Sequence, residues 1–408
     1  MESLERIPPS AHTQEPSTAG PAPAPATPRA HFRGLDSLRF YAALFVVIGH
    51  VPLNQESLRL PHAAPTVSFY RGAFAVSFFF ALSGFLITYL LQEERRRRGD
   101  IDVRSFYLRR ICRIWPVYFA VILFGLFFYN ALLPWLGIPY RIEYKLWTAL
   151  LLYVFFLPNL MNSLYTVGGI LNPTWSIGVE EQFYLTWAPA VRWAKDRLPL
   201  LCAAIFAVFL GLSVLNHYEV FGPYEWKKFV GQLQFHFMAA GALGAWALHR
   251  HRGRLLAAWV FSSRSVQIVL FALVLDFYFL GFVPYNWFFE QAVQIVLYSW
   301  LILNVAANPR NVLPVENRVC DYLGTISYGI YMFHMIAVYA TSRLFQASLW
   351  WHGRLPLYYA AYYAMAIGLT LLLAHLSYRY FELPFLRLKD RRWSQPVRRE
   401  GGGARGPR

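Results

Sequence analysis

Residues 35–53 read LDSLRFYAALFVVIGHVPL. From about position 38 to 53 the side chains are apolar or aromatic, apart from Arg39 and His50. A helix of this length approaches the ~30 Å thickness of the hydrocarbon core of a bilayer. We therefore predict the first membrane span here. Because charged and histidine side chains are costly inside a span, each of the two polar residues needs a cavity or a partner.

The rest of the chain repeats this pattern. Of its 408 residues, 57% are hydrophobic and 15% are charged, whereas a soluble domain carries roughly 25% charged residues. This composition excludes a disordered protein, a collagen-like fibre and a disulfide scaffold, and it argues against a soluble enzyme. Ten further apolar segments predict a multispan membrane protein: 70–92, 114–134, 146–163, 174–191, 199–215, 229–248, 265–283, 288–306, 322–342 and 359–381.

Two basic stretches orient the predicted spans. Residues 93–113 contain eight arginines and residues 249–264 contain four, and such clusters favour the cytoplasmic side. Five apolar segments separate them, but two loops on the same side require an even number of crossings. The weakest segment is 146–163, which Pro158 interrupts, so we expect it to be re-entrant or peripheral. The predicted fold is an all-α integral membrane protein with about ten transmembrane helices, this one extra segment and both termini in the cytoplasm.

The two ends of the chain differ from its apolar middle. Residues 1–35 hold seven of the 25 prolines and are expected to form a disordered, Pro/Ala-rich cytoplasmic tail. Residues 36–388 form the transmembrane domain, and residues 389–408 form a second, basic and disordered cytoplasmic tail. The net charge of +16 follows from basic cytoplasmic loops, so the expected partner is the lipid bilayer and not nucleic acid. Three scattered cysteines predict neither a disulfide nor a metal site: Cys112, Cys202 and Cys320.

Arg39 and His50 are the first candidates for chemistry. His50 follows Arg39 by eleven positions, which places the two residues on one helix face and roughly 16 Å apart along the axis. Arg39 would then lie at the cytoplasmic end of the span and His50 near its middle. A neutral imidazole can accept a proton near pH 7, as a general base must. The alternative is a histidine that only hydrogen-bonds between helices.

A second candidate is the pair Arg110 and Arg113, with Arg109 beside it, directly before an apolar segment. Residues at i and i+3 share a helix face, and arginines so placed can clamp phosphate groups. The alternative is an anchor for topology or a contact to lipid headgroups. That alternative explains the neighbouring run Arg95–Arg98 better.

Embedded acids and a second histidine complete the candidates. Glu180 and Glu181 are adjacent and must point to different faces, so one of them, preferably Glu180, could orient an imidazole or an arginine. Both could instead lie in water at the rim of a cavity. Further possible site residues are His334, inside its segment, and Glu382, which we expect to pair with Arg379 or with one of the arginines in 109–113. His236 and His375 are expected to form hydrogen bonds between helices.

Six fragments, taken in order, resemble the membrane acyltransferase 3 family. The first is Arg39 and His50 with ten residues between them. The others are FFFALSGFLITYLL (78–91), RRICRIWPVYF (109–119), PTWSIGVEEQFYL (173–185), ISYGIYMFH (326–334) and FELPF (381–385). The resemblance implies a bundle of about ten membrane helices. It also implies transfer of an acyl group, most often acetyl, from cytoplasmic acyl-CoA to a hydroxyl of a glycan, glycolipid or glycosylated natural product.

The resemblance also implies functional pairs, which correspond here to Arg39 with His50 and to Arg110 with Arg113. On this hypothesis the three arginines bind acyl-CoA, as a co-substrate and not a bound cofactor, and no metal takes part. His50 acts as the general base and Glu180 holds its tautomer. In a variant, His50 itself carries the acyl group in a two-step transfer. The acceptor is a carbohydrate or a glycosylated molecule, and the location is the plasma (inner) membrane.

Two other classes of protein remain open at this stage. A transporter or flippase would use embedded histidine, glutamate and arginine residues as a pathway for protons or substrates. We see no inverted repeat with matching interrupted helices, which many transporters have. A polytopic scaffold or sensor would have no use for an Arg/His pair on one face of a span.

Overall fold

The computed structural model describes residues 32–61, 72–277, 286–313, 315–347 and 354–393. Within these ranges the chain is helical and has no β-strand, so the all-α class is confirmed. Residues 1–31 and 394–408, which make up most of the two predicted tails, lie outside the described residues. The same holds for the end of the predicted segment 265–283 and the start of 70–92.

The bounds of the helices follow the apolar segments closely. Short π-helical turns at Phe128–Leu132 and Ser377–Glu382 continue two of them. The helices are α1 (Arg33–Ser57), α2 (Gly72–Arg98), α3 (Val103–Phe127), α4 (Leu133–Trp135), α5 (Leu146–Val154), α6 (Pro158–Leu164), α7 (Thr174–Ala194), α8 (Leu198–His217), α9 (Tyr224–Gln232), α10 (Phe235–Ala257), α11 (Trp259–Ser262), α12 (Arg264–Leu275), α13 (Trp287–Ala307), α14 (Arg318–Thr325), α15 (Ser327–Ala347), α16 (Leu355–Leu376) and α17 (Leu383–Trp393).

Within the described residues, six helical segments are long and apolar enough to cross a membrane, or seven if α14 and α15, bent by 72°, form one span. The prediction of ten spans is therefore not confirmed. One of the six runs from Thr174 to His217 over 44 residues, which is ~66 Å of helix and twice the hydrocarbon core. The chain breaks there at Lys195, whose φ is +47°. α10 is not among the six segments, and its second half carries the basic run His249–Arg254. α12 is also not among them and has only 12 residues.

The segment 146–163 does not form one spanning helix. It divides into α5, with nine residues, and α6, with seven, and both are far shorter than the ~20 residues that a span needs. Phe156 has a positive φ of 55° between them, and Pro158 begins α6. This agrees with the expectation that the segment does not cross the membrane as a helix.

The closest helix packing joins α2 to α10. A Cβ atom added to Gly84 would lie 2.0 Å from the carbonyl oxygen of Met238, and one added to Gly241 would lie 1.9 Å from that of Ala81. Small residues let helix backbones approach in this way inside membranes. With Gly84 on the α10 side, the face of α2 that carries Phe79, Phe80 and Ser83 is free to line a cavity.

Replacement of Gly84 by alanine tests this contact. The new methyl group would meet main-chain atoms that cannot rotate away, so we expect Gly84→Ala to lower the free energy of unfolding by at least about 1–3 kcal/mol. Gly211→Ala is the matched control, because a Cβ atom there meets nothing within 4 Å. Thermal unfolding of the purified protein in detergent measures both. Equal midpoints for the two variants would contradict the contact.

Candidate active site

A cavity of about 90 Å³ lies between α1, α2, α3, α7 and α15. Its charged lining residues are three arginines and one glutamate, and its remaining polar residues are hydroxyl-bearing. The lining is Arg39, Val76, Phe79, Phe80, Ser83, Arg110, Arg113, Ile114, Ser176, Ile177, Glu180, Tyr184, Ser327, Tyr328 and Tyr331. The fold therefore brings together four predicted site residues from three helices.

The three arginines differ in how they are paired. Arg39 forms an ion pair with Asp36, one turn earlier in α1, at 2.6 Å. The guanidinium of Arg110 lies over the ring of Tyr184, 5.6 Å from its centroid. Within the described part of the chain, neither Arg110 nor Arg113 has a carboxylate within 4 Å. Arg113 shares the cavity with two like charges, Arg39 and Arg110. The cavity thus holds more positive charge than its own carboxylates balance.

The arginines just outside the cavity are paired instead. Arg96 and Arg97 both contact Glu93, at 2.6 and 2.5 Å. Arg109 reaches Glu94 at 3.1 Å, and Arg95 donates to the carbonyl oxygen of Val191 at 2.7 Å. These contacts tie the basic end of α2 to α3 and α7, and they separate this cluster from Arg110 and Arg113.

Glu180 is bound to neighbours other than the histidine we expected. Its carboxylate accepts hydrogen bonds from Ser83 Oγ at 3.1 Å and from Tyr184 OH at 2.8 Å. The expectation that Glu180 holds the tautomer of His50 is therefore wrong. Glu181 points to another helix, as predicted, and accepts a hydrogen bond from Trp115 Nε1 at 3.2 Å.

His50 and His334 form a pair, with ring centroids 4.9 Å apart. The Nδ1 atom of His50 lies 2.8 Å from the carbonyl oxygen of Val46, and His334 Nδ1 contacts the carbonyl oxygen of Tyr331 in the same way. Because a carbonyl oxygen can only accept, each Nδ1 carries the proton and each Nε2 presents a lone pair. Within the described residues, His334 Nε2 is buried and has no hydrogen-bond partner.

The histidine pair adjoins the cavity without lining it. Tyr331 lines the cavity, and its ring centroid is 5.7 Å from that of His334. Its hydroxyl donates to the carbonyl oxygen of Pro173 at 3.0 Å and lies 2.6 Å from Ser176 Oγ. The arrangement is an arginine-lined cavity and two imidazoles, both adjacent to Tyr331.

Comparison with known proteins decides the family. A family model described as an acyltransferase domain, acyltransferase 3, matches residues 32–375. The chain belongs to the acyltransferase 3 family. The match covers α1 to α16 and so includes the cavity and the histidine pair. No solved structure matches the chain.

Curated relatives of this acyltransferase 3 protein carry the name O-acetyltransferase OatA. Those of Staphylococcus aureus strains NCTC 8325, COL and MRSA252 are each 26% identical over 368 residues, which is 86% of this chain and 56% of theirs. The chain thus spans a little more than half the length of the curated relatives it matches.

Several residues of this acyltransferase 3 cavity were missed by the sequence reasoning. Ser83 is the first polar residue after five apolar ones in FFFALSG, and Tyr184 lies one helical turn after Glu180. Both positions could have been noted as polar neighbours of a candidate acid. Nothing in the spacing indicates that Tyr331 bonds to Pro173, because the two are 158 residues apart.

The remaining candidates lie apart from the cavity. Glu382 accepts a hydrogen bond from Ser377 Oγ at 3.0 Å; no arginine of the described ranges is within 4 Å of it, and Arg113 acts on it only at longer range. The expected ion pair is therefore absent.

His236 lies 3.4 Å from Gln291, and His375 lies 2.6 Å from Tyr322 OH, so both interhelical hydrogen bonds are confirmed. The described residues contain no cluster of His, Cys, Asp and Glu able to hold a metal ion.

Replacement of Arg113 by methionine tests the excess positive charge. The variant keeps an unbranched side chain and removes a charge that shares the cavity with two other guanidinium groups, so we expect a gain of about 0.5–2 kcal/mol in the free energy of unfolding. Arg192→Met is the control, because Arg192 is exposed and paired with Asp100. Thermal unfolding in a buffer without polyvalent anions measures both. A lower midpoint for Arg113→Met would show that the protein itself neutralises this arginine.

Proposed function

We propose that this protein is a membrane O-acyltransferase that moves an acetyl group from cytoplasmic acetyl-CoA to a hydroxyl of a carbohydrate or glycosylated acceptor. The observation that carries the proposal is the convergence of Arg39, Arg110 and Arg113 on one cavity beside the pair His50 and His334. Family membership supports acyl transfer. The name of the S. aureus relatives supports acetyl as the acyl group and oxygen as the acceptor atom.

The proposed topology has about ten spans, both termini in the cytoplasm and the plasma (inner) membrane as its location. Two neighbouring helices support the orientation. α2 and α10 pack side by side, and His249 of α10 lies 3.7 Å from Glu93 of α2, so their basic ends are at the same level. Clusters of arginine favour the cytoplasm. Arg110 and Arg113 lie in the first half of α3, near this basic end.

The cavity would receive the phosphates of the donor. A cavity of about 90 Å³ is large enough for a group the size of a phosphate. Arginine presents paired N–H donors to phosphate oxygens. The half-buried Arg110 and Arg113 have no carboxylate within 4 Å among the described residues, so a phosphate would supply the missing counter-charge.

His50 would act as the general base. Its Nε2 lone pair takes the proton of the acceptor hydroxyl while that oxygen attacks the thioester carbonyl. The carbon–sulfur bond then breaks, and the leaving thiolate of coenzyme A takes the proton back from the imidazolium. Val46 contributes by holding the proton on Nδ1, so that Nε2 is the basic nitrogen.

Removal of the base tests the chemistry. We expect His50→Gln to lower kcat for acetyl transfer by roughly 10²–10⁴-fold, since general base catalysis contributes about that much. His375→Gln is the matched control, because His375 bonds to Tyr322 away from the cavity. Membranes containing each protein receive labelled acetyl-CoA and a crude glycan extract, and both free coenzyme A and labelled glycan are measured. A wild-type rate of acetyl transfer by a folded His50→Gln protein would refute the assignment of His50 as the general base.

Replacement of Arg110 and Arg113, the proposed phosphate clamp, tests donor binding separately from the role of His50. The double variant Arg110→Gln, Arg113→Gln should raise KM for acetyl-CoA at least about tenfold, because each charge-assisted contact contributes roughly 1.5–3 kcal/mol. Arg96→Gln is the control, since Arg96 is exposed and paired with Glu93. The same coenzyme A release assay, run over a range of acetyl-CoA concentrations, gives KM. An unchanged KM would refute the clamp while leaving the role of His50 open to its own test.

A further inference from the structure

A buried hydroxyl joins three helices just beyond the histidine pair. Ser342 of α15 is fully buried and donates to Asn54 Oδ1 of α1. It also contacts Tyr362 OH of α16 and lies 2.9 Å from the carbonyl oxygen of Val338. The single proton of Ser342 is within hydrogen-bond distance of two acceptors, Asn54 Oδ1 and the carbonyl oxygen of Val338, so Tyr362 donates to Ser342. These contacts link α16 through α15 to α1.

The position of these contacts relates them to the imidazoles. Asn54 follows His50 by four residues, one helical turn, and Ser342 follows His334 by eight residues, about two turns. At 100° per residue, Asn54 is turned by about 40° and Ser342 by about 80° from the histidine of its own helix. Both pairs, Ser342 with Asn54 and His334 with His50, cross the interface between α15 and α1.

Apolar residues form much of the same interface. Several of the buried ones are small or aliphatic, and apolar burial is non-directional, whereas a hydrogen bond has a preferred geometry. They include Ala43, Val47, Val51, Ile330 and Val338. Each imidazole is fixed to a carbonyl oxygen of its own helix. The geometry of the two rings relative to each other thus depends on how α1 is rotated against α15.

We propose that Ser342 is a positioning residue that fixes the rotation of α1 against α15 and thereby the direction of His50 Nε2. The inference rests on the proposed role of His50 as base, and Ser342 itself contacts neither substrate. A side-chain tip lies about 5–6 Å from the helix axis, so a rotation of ~10° moves the imidazole by ~1 Å. A displacement of that size can cost on the order of 10²-fold in rate.

Kinetics of Ser342→Ala test the proposal. We expect kcat to fall by roughly 10- to 100-fold, while KM for acetyl-CoA stays within about twofold, because the arginine cavity holds the donor independently. The pH profile of kcat should also shift, since the surroundings of His50 change. The matched control is Thr370→Val: Thr370 is also buried, but its hydroxyl bonds only to Ala366 of its own helix, so its kcat and pH profile should stay unchanged.

Two further variants keep the test decisive if Ser342→Ala folds poorly. Tyr362→Phe leaves the bond from Ser342 to Asn54 and should lower kcat less than Asn54→Ala, which removes it. Wild-type kcat in a folded Ser342→Ala or Asn54→Ala protein, with His50→Gln inactive, would overturn the positioning role and leave the proposed function standing. A loss of kcat that matches the loss of folded protein would also overturn it, because unfolding removes active enzyme without changing KM. Full activity of His50→Gln would overturn both proposals.

Discussion

Positive charge inside a bundle of apolar helices is the constraint on which this structure depends. A guanidinium group in such surroundings must find a carboxylate, an aromatic face or a ligand. Arg39 has Asp36, and Arg110 has the ring of Tyr184. Arg113 shares the cavity with the other two arginines and, among the described residues, has no carboxylate within 4 Å. This imbalance is the reason for proposing that the cavity receives an anion, whereas the arginines at the end of α2 are paired within the protein.

The same cavity shows how one helix serves two purposes. α2 contacts α10 through Gly84, where the backbones meet, and faces the cavity with Ser83. Ser83 in turn bonds to Glu180 on α7. The acid is thus tied to the scaffold and not to the imidazole of His50, which relies on the carbonyl oxygen of Val46. Local main-chain contacts set the protonated nitrogen, and contacts between helices set where the ring lies.

The sequence predicted those features that depend on length and on helical spacing. Apolar segments located the helices, Pro158 marked the interrupted one, and the i, i+3 spacing of Arg110 and Arg113 placed both in one cavity. Contacts between distant helices could not be predicted from the sequence, because no local pattern indicates that Tyr331 bonds to Pro173. The number of spans stays a prediction, because six or seven helical segments of the described residues are long and apolar enough to cross a membrane. The break at Lys195 does fall between the predicted segments 174–191 and 199–215.

The glycine contacts between α2 and α10 also bear on motion. Backbones that meet without intervening side chains leave little room for either helix to tilt toward the other, because main-chain atoms would collide. Proline interrupts the hydrogen-bond ladder of a helix, and α3 and α7 contain Pro116 and Pro189. The helices that line the cavity thus differ in kind: α2 is held by close backbone contacts, whereas α3 and α7 each lack one internal hydrogen bond.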